Sequence, residues 1–131
     1  MYKTIKILVI DKEEIILKSI QKALKSDANI DYIITTCNTA LEGLKLIRSD
    51  TFDIVFVDLV LPGMNGIEVL RRIKNIYPAV FVIIMSGFAS IGYTSEKSNS
   101  SNKSLNSAAG FLTKPFTTEE LKSLIANIIV K

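Results

Sequence analysis

The sequence predicts an α/β domain: a parallel sheet with helices on both faces. Three observations predict it. Short apolar runs rich in β-branched and aromatic residues, such as Ile54–Val57 (IVFV) and Val80–Met85 (VFVIIM), show no alternation of apolar with polar residues, as in strands buried on both faces. Segments with helical spacing of apolar residues separate them. The two kinds of segment alternate along a chain of 131 residues, a length that suits one domain, 1–131, with a substantial core.

The elements follow in order. Lys6–Ile10 (KILVI) is the first strand. Glu13–Lys25 is a helix with Ile16, Ile20, Ala23 and Leu24 on one face. Ile30–Cys37 (IDYIITTC) is a weaker strand. Thr39–Arg48 is a helix with Ala40, Leu44 and Ile47 aligned, opened by a capping box of Thr39 and Glu42. Ile54–Val57 is the third strand, and Asn65–Ile76 a helix with Ile67, Leu70, Ile73 and Ile76 at amphipathic spacing. Val80–Met85 and the short Gly110–Thr113 (GFLT) complete the sheet. Thr117–Val130 is the last helix, with a second capping box of Thr117 and Glu120. Ser90–Ser107 breaks the rhythm. Seven serines and three asparagines leave it poor in helix formers, and its few apolar residues make no stripe. It reads as an irregular or disordered loop where a fourth helix is expected.

Composition narrows the function. A net charge of +3 and a pI near 9.0 come without any dense basic cluster, so nucleic-acid binding is not expected. Cys37 is the only cysteine and histidine is absent, which removes an internal disulfide, a cysteine zinc site and histidine-based chemistry. The N-terminal apolar run is too short for a signal peptide or a membrane span, so the expectation is a cytoplasmic protein without membrane contact.

In open α/β sheets, ligands gather at the carboxyl ends of the strands. Asp11 follows the first strand, Asp58 the third, Ser86 and Gly87 the fourth, and Lys114 and Pro115 the fifth. Taken singly, each has an ordinary reading: a helix cap formed by Asp11 with Glu14, a turn former, a strand exit, a loop pair. Together they place two carboxylates, a hydroxyl and an ammonium at one edge, a set suited to a hard cation and a phosphoryl group.

The stretches "KILVIDKEE", "FDIVFVDLVLPGMNGIEVLRRIK", "VFVIIMSGFAS" and "GFLTKPF" resemble the receiver domain of two-component response regulators. The resemblance spans the chain except Ser90–Ser107. It implies a flavodoxin-like (βα)5 three-layer sandwich with strand order 2-1-3-4-5. It implies that Asp58 accepts a phosphoryl group from a sensor histidine kinase or phosphotransfer protein. Asp11, Asp58 and the Val60 carbonyl would hold Mg2+. Ser86 and Lys114 would contact the phosphoryl group, Phe111 would be a switch aromatic, and the Lys114–Pro115 bond can be cis. An ordinary core aromatic is the other reading of Phe111. The signal would leave through the surface of the fourth helix, fifth strand and fifth helix, and such a module is a phosphoacceptor assisting its own phosphorylation and dephosphorylation, not an enzyme. Ser86–Lys114 is longer than the family usually has. Ser90–Ser107 is either a tolerated insertion or a segment that orders on phosphorylation or partner binding.

One position departs from the family, which usually has a second acid after Asp11. Lys12 stands there. Unit charges about 4 Å apart interact by about 4 kcal/mol at an effective dielectric of about 20, so an inward lysine would offset much of the attraction for Mg2+. Three arrangements are open. Lys12 points to solvent or pairs with Glu13, leaving weaker Mg2+ binding; or its ammonium occupies the metal position against Asp58; or Glu13 serves as a substitute ligand. Lys12 therefore also supports a pseudo-receiver that binds partners without phosphorylation. A metal-dependent phosphatase is disfavoured, because its acid–base aspartate would fall at Val60. The chain ends shortly after its last helix, as a stand-alone receiver acting on a downstream protein would. The alternative is the N-terminal piece of a regulator with a fused output domain, which "MSGFAS" resembles.

Overall fold

The computed structural model describes residues 3–87 and 106–129. They form β1 (Lys3–Ile10), α1 (Glu14–Lys25), β2 (Ile30–Cys37), α2 (Ala40–Ser49), β3 (Ile54–Asp58), α3 (Gly66–Ile76), β4 (Phe81–Ser86), β5 (Gly110–Thr113) and α4 (Thr118–Ile129). All strand pairs are parallel, as the alternation of strands and helices implied, and the sheet runs β2-β1-β3-β4-β5, as the family resemblance implied. Of the irregular stretch expected at Ser90–Ser107, positions 90–105 lie outside the described residues.

The strands are apolar on both faces because each face carries its own core. Leu8, Ile10, Val55, Val57, Val82 and Ile84 pack with α2 and α3. Ile5, Ile7, Val9, Ile54, Phe56 and Ile83 pack with α1 and α4. Every residue of β3 is buried. Fully burying one aliphatic side chain stabilises by roughly 1.5–3 kcal/mol, so the central strand and its two cores anchor whatever sits at the strand's end.

The boundaries differ from the sequence reading where backbone pairing, not apolar character, decides. β1 starts at Lys3 because it pairs with β2 over eight residues, although Lys3 and Thr4 are exposed. β3 and β4 run one residue further, into Asp58 and Ser86, and β4 starts at Phe81. The reciprocal cap at α4 is present: the Glu120 amide donates to Thr117 Oγ1 at 3.0 Å and the Thr117 amide donates to Glu120 Oε1 at 2.8 Å. At α2 the Glu42 amide donates to Thr39 Oγ1 at 3.2 Å. The helix-cap reading of Asp11 is corrected. Glu13 takes the N-cap position of α1 without a side-chain cap, and Asp11 is left free to face the sheet's edge.

Candidate functional site at the carboxyl edge of the sheet

Strand order sets the site. β1 and β3 are neighbours and end in the same direction, so Asp11 and Asp58 emerge side by side. Both carboxylates are nearly sealed from solvent, at 0% and 3% exposure. The backbone holds them there: the Asp11 amide donates to the Cys37 carbonyl at 3.1 Å, and the Leu59 amide donates to the Met85 carbonyl at 2.8 Å. Asp11 Oδ1 accepts from the Glu13 amide at 2.8 Å, and Asp58 Oδ1 from the Val60 amide at 3.3 Å.

Two lysines reach this pair of acids, Lys114 touching both and Lys12 only Asp58. Lys114 enters from β5, its amide tied to the Ser86 carbonyl at 2.7 Å, and the Lys114–Pro115 bond is cis. Its Nζ lies 2.7 Å from Asp11 Oδ2, 3.4 Å from Asp58 Oδ1 and 3.5 Å from Glu13 Oε1. Lys12 enters from the β1–α1 loop. Its Nζ donates to the Val60 carbonyl at 3.0 Å and lies 3.5 Å from Asp58 Oδ2. Of the three arrangements open for Lys12, these distances match the second. Glu13 faces Lys114 rather than acting as a spare ligand beside Asp58.

Burial pushes the Asp11 carboxyl above its ordinary range, and the Lys114 ammonium and Glu13 amide only partly oppose the rise. For Lys114, burial alone would favour the neutral amine. Pairing with Asp11 and Asp58 outweighs it and holds the ammonium above its usual range.

The remaining predicted residues fall as follows. Ser86 ends β4 beside Asp58 and is buried. The Val60 carbonyl points at the cleft, as its contact with Lys12 shows, while the Val60 side chain is half exposed. Phe111 is 52% exposed on β5, beside Leu124 of α4, so the core-aromatic reading is corrected. Sequence reasoning missed Gly66. A Cβ there would lie 2.5 Å from the Asp58 carbonyl oxygen and 2.7 Å from Leu59 Cα. Its amide donates to the Leu59 carbonyl at 2.7 Å, so α3 begins hard against the backbone that carries Asp58. Its only sequence signal was the glycine in "PGMNG".

The donor set fits a hard cation in part. Asp11 Oδ2 and Asp58 Oδ2 are buried and receive no well-directed hydrogen bond, although ammonium groups stand near both. Among the described residues no third acidic, thiol or imidazole side chain completes a metal-binding cluster with them. Two carboxylates and the Val60 carbonyl are therefore the available oxygens, and the carbonyl already accepts from Lys12. Among the described residues no helix is long and apolar enough to cross a membrane.

Comparison with known proteins bears on the family and the fold. A family profile described as "Response regulator receiver domain" matches residues 7–126. The cell cycle response regulator CtrA of Brucella ovis is 31% identical over 125 residues, covering 95% of this chain and 50% of that protein. The chain thus spans about half the length of the curated relatives it matches. A response regulator receiver domain from Clostridium thermocellum superposes with a TM-score of 0.78 at 32% identity, covering 96% of this chain and 94% of the other. The response regulator TrrA of Thermotoga maritima, solved in complex with Mg2+ and BeF, gives 0.77 at 26% identity, covering 94% and 97%.

Proposed function

The chain belongs to the response-regulator receiver family, whose domains are signalling modules, and from that premise we propose that Asp58 is its phosphoacceptor. The observation that carries the reading is the position of Asp58. It is a nearly buried carboxylate at the end of the central strand, with an ammonium 3.4 Å from one oxygen and another 3.5 Å from the other.

Phosphoryl transfer asks a protein for positioning and charge neutralisation more than for covalent chemistry. An Asp58 oxygen attacks phosphorus in line, and the bond from phosphorus to the donor breaks with its electron pair leaving on the donor. The product carries about −1.5 to −2 charge at pH 7. Lys114 is fixed on the spot to balance it. The Ser86 hydroxyl, at the end of the adjacent strand, would donate to a phosphoryl oxygen. Its movement would be answered by Phe111, which starts from an exposed position on β5. Asp11, Asp58 and the Val60 carbonyl would hold Mg2+, which when bound supplies further neutralisation of phosphoryl oxygens. The donor would be a sensor histidine kinase or phosphotransfer protein. The output would pass through the β5–α4 face to a downstream protein or a fused output domain. Loss of the phosphoryl group would be assisted by the same residues.

The test is incubation with acetyl phosphate and Mg2+ followed by intact mass. A gain of one phosphoryl group, absent in Asp58→Asn, is the expected result; no gain under any divalent-ion condition removes the reading. That second outcome would leave a pseudo-receiver, a reading the contacts of Lys12 with Asp58 and Val60 favour.

A further inference from the structure

The Lys12 ammonium stands where the cleft's chemistry reserves room for a cation. It contacts the Val60 carbonyl oxygen at 3.0 Å and lies 3.5 Å from Asp58 Oδ2, two of the three oxygens a divalent ion would use here. Asp11 and Asp58 together carry two buried negative charges, and Lys114 supplies one fixed positive charge between them. Lys12 supplies the second, which balances the two buried carboxylates; the half-exposed Glu13 carboxylate, 3.5 Å from Lys114, adds a further negative charge at the rim. Mg2+ sits about 2.0–2.1 Å from its ligand oxygens. An ion held by the Val60 carbonyl and Asp58 Oδ2 would face an ammonium that contacts the same two oxygens, and like charges that close repel.

We infer that Lys12 is a tethered, displaceable cation that competes with divalent metal for this cleft. The inference rests on the reading of Asp11, Asp58 and Val60 as the cation cleft of a phosphoacceptor. Lys12 can yield because it comes from a loop and its side chain is 43% exposed, whereas the Lys114 side chain is 10% exposed. A divalent ion entering the cleft repels the ammonium toward solvent, so metal affinity carries the cost of that displacement. The ordinary alternative is a surface ion pair that contributes nothing measurable. Two features separate Lys12 from that case: its acidic partner is almost wholly buried, and its closer contact is to backbone.

The test is titration of MgCl2 into unphosphorylated wild type, Lys12→Met and Lys12→Gln at matched ionic strength, followed by calorimetry and by thermal unfolding. Both variants are expected to bind Mg2+ roughly tenfold more tightly or better, because a nearby unit charge acting through protein-like dielectric is worth at least a decade in affinity even when partly screened. Both should also unfold at lower temperature than wild type without divalent ion and gain more from adding it. Lys12→Gln, which retains a polar head for the Val60 carbonyl, serves if Lys12→Met does not fold. Equal affinities within about twofold overturn the inference, as does absence of Mg2+ binding in all three proteins. These readouts need no phosphorylated protein. Failure here leaves the mass test of Asp58 standing, and failure there leaves this competition measurable.

Discussion

Lys114 and Asp11 at the carboxyl edge of the sheet stand 2.7 Å apart, and so do Lys6 and Asp50 near the opposite edge. Distance does not tell them apart, but burial does. The Lys6 and Asp50 side chains are 31% and 48% exposed, against 10% and 0% for Lys114 and Asp11. Water solvates the first pair with or without its partner, so the contact replaces hydration with little gain. The second pair has given up water, and each charge depends on the other. The Lys6 pair is one stitch among several: the Lys6 amide also donates to Asp53 Oδ2 at 2.8 Å, and Nζ lies 5.6 Å from the Phe52 ring centroid. At the carboxyl edge the charges form a closed group. The contrast teaches that the fold tolerates a cost at one end of its sheet that it avoids at the other.

The sharpest way to break the contrast is Lys114→Met. It strands two buried carboxylates with only Lys12 at hand, and breaking a buried pair in this way costs roughly 3–5 kcal/mol. Urea unfolding should show a loss near the lower bound, since Lys12 and proton uptake by Asp11 relieve part of it, and acetyl phosphate should no longer label the protein. A loss under about 1 kcal/mol would mean that the pair behaves like a surface contact.

Asp11→Asn should act in the opposite direction. The raised proton affinity of folded Asp11 means that its ionised form costs stability. That cost is fully present above the folded pKa and is relieved as pH falls through it toward the unfolded value of 3.8. Asn carries no such charge while Lys114 keeps Asp58 as a partner, so the variant should be more stable at pH 7 and lose part of the wild type's relief in acid. It should also bind Mg2+ less well. A destabilised variant with an unchanged acid profile would show that Asp11 is a structural acid.

The smallest effect belongs to the other edge. Lys6→Met should shift unfolding by less than about 1 kcal/mol and leave labelling of Asp58 intact. A larger loss would place the two edges in one class.

The same contrast explains what could be read from the sequence. Apolar runs buried on both faces gave the strands, and the Thr117–Glu120 box gave a helix start, because these signals are local. Asp11, Asp58, Ser86 and Lys114 were legible as a group, since each follows a strand and parallel strands end together. The partner choice of Lys12 was not legible. Three arrangements fitted the sequence, and only the approach of the Val60 carbonyl across the cleft distinguishes them. Gly66 escaped for the same reason: its need for hydrogen in place of a side chain comes from the Asp58 carbonyl eight positions earlier, brought close by the turn. The outward aspect of Phe111 escaped because a four-residue edge strand is too short for its pattern to assign an inside and an outside.

A strand that is apolar on both faces poses a registration problem. If β3 slid by one position, Ile54 and Phe56 would exchange cores with Val55 and Val57, and hydrophobicity alone would scarcely resist. The polar terminus does resist, because the slip would draw the carboxylate of Asp58 into hydrocarbon or move it away from its two ammonium partners. The residues that make this edge chemically capable are therefore also the alignment marks by which the sheet assembles in a single way.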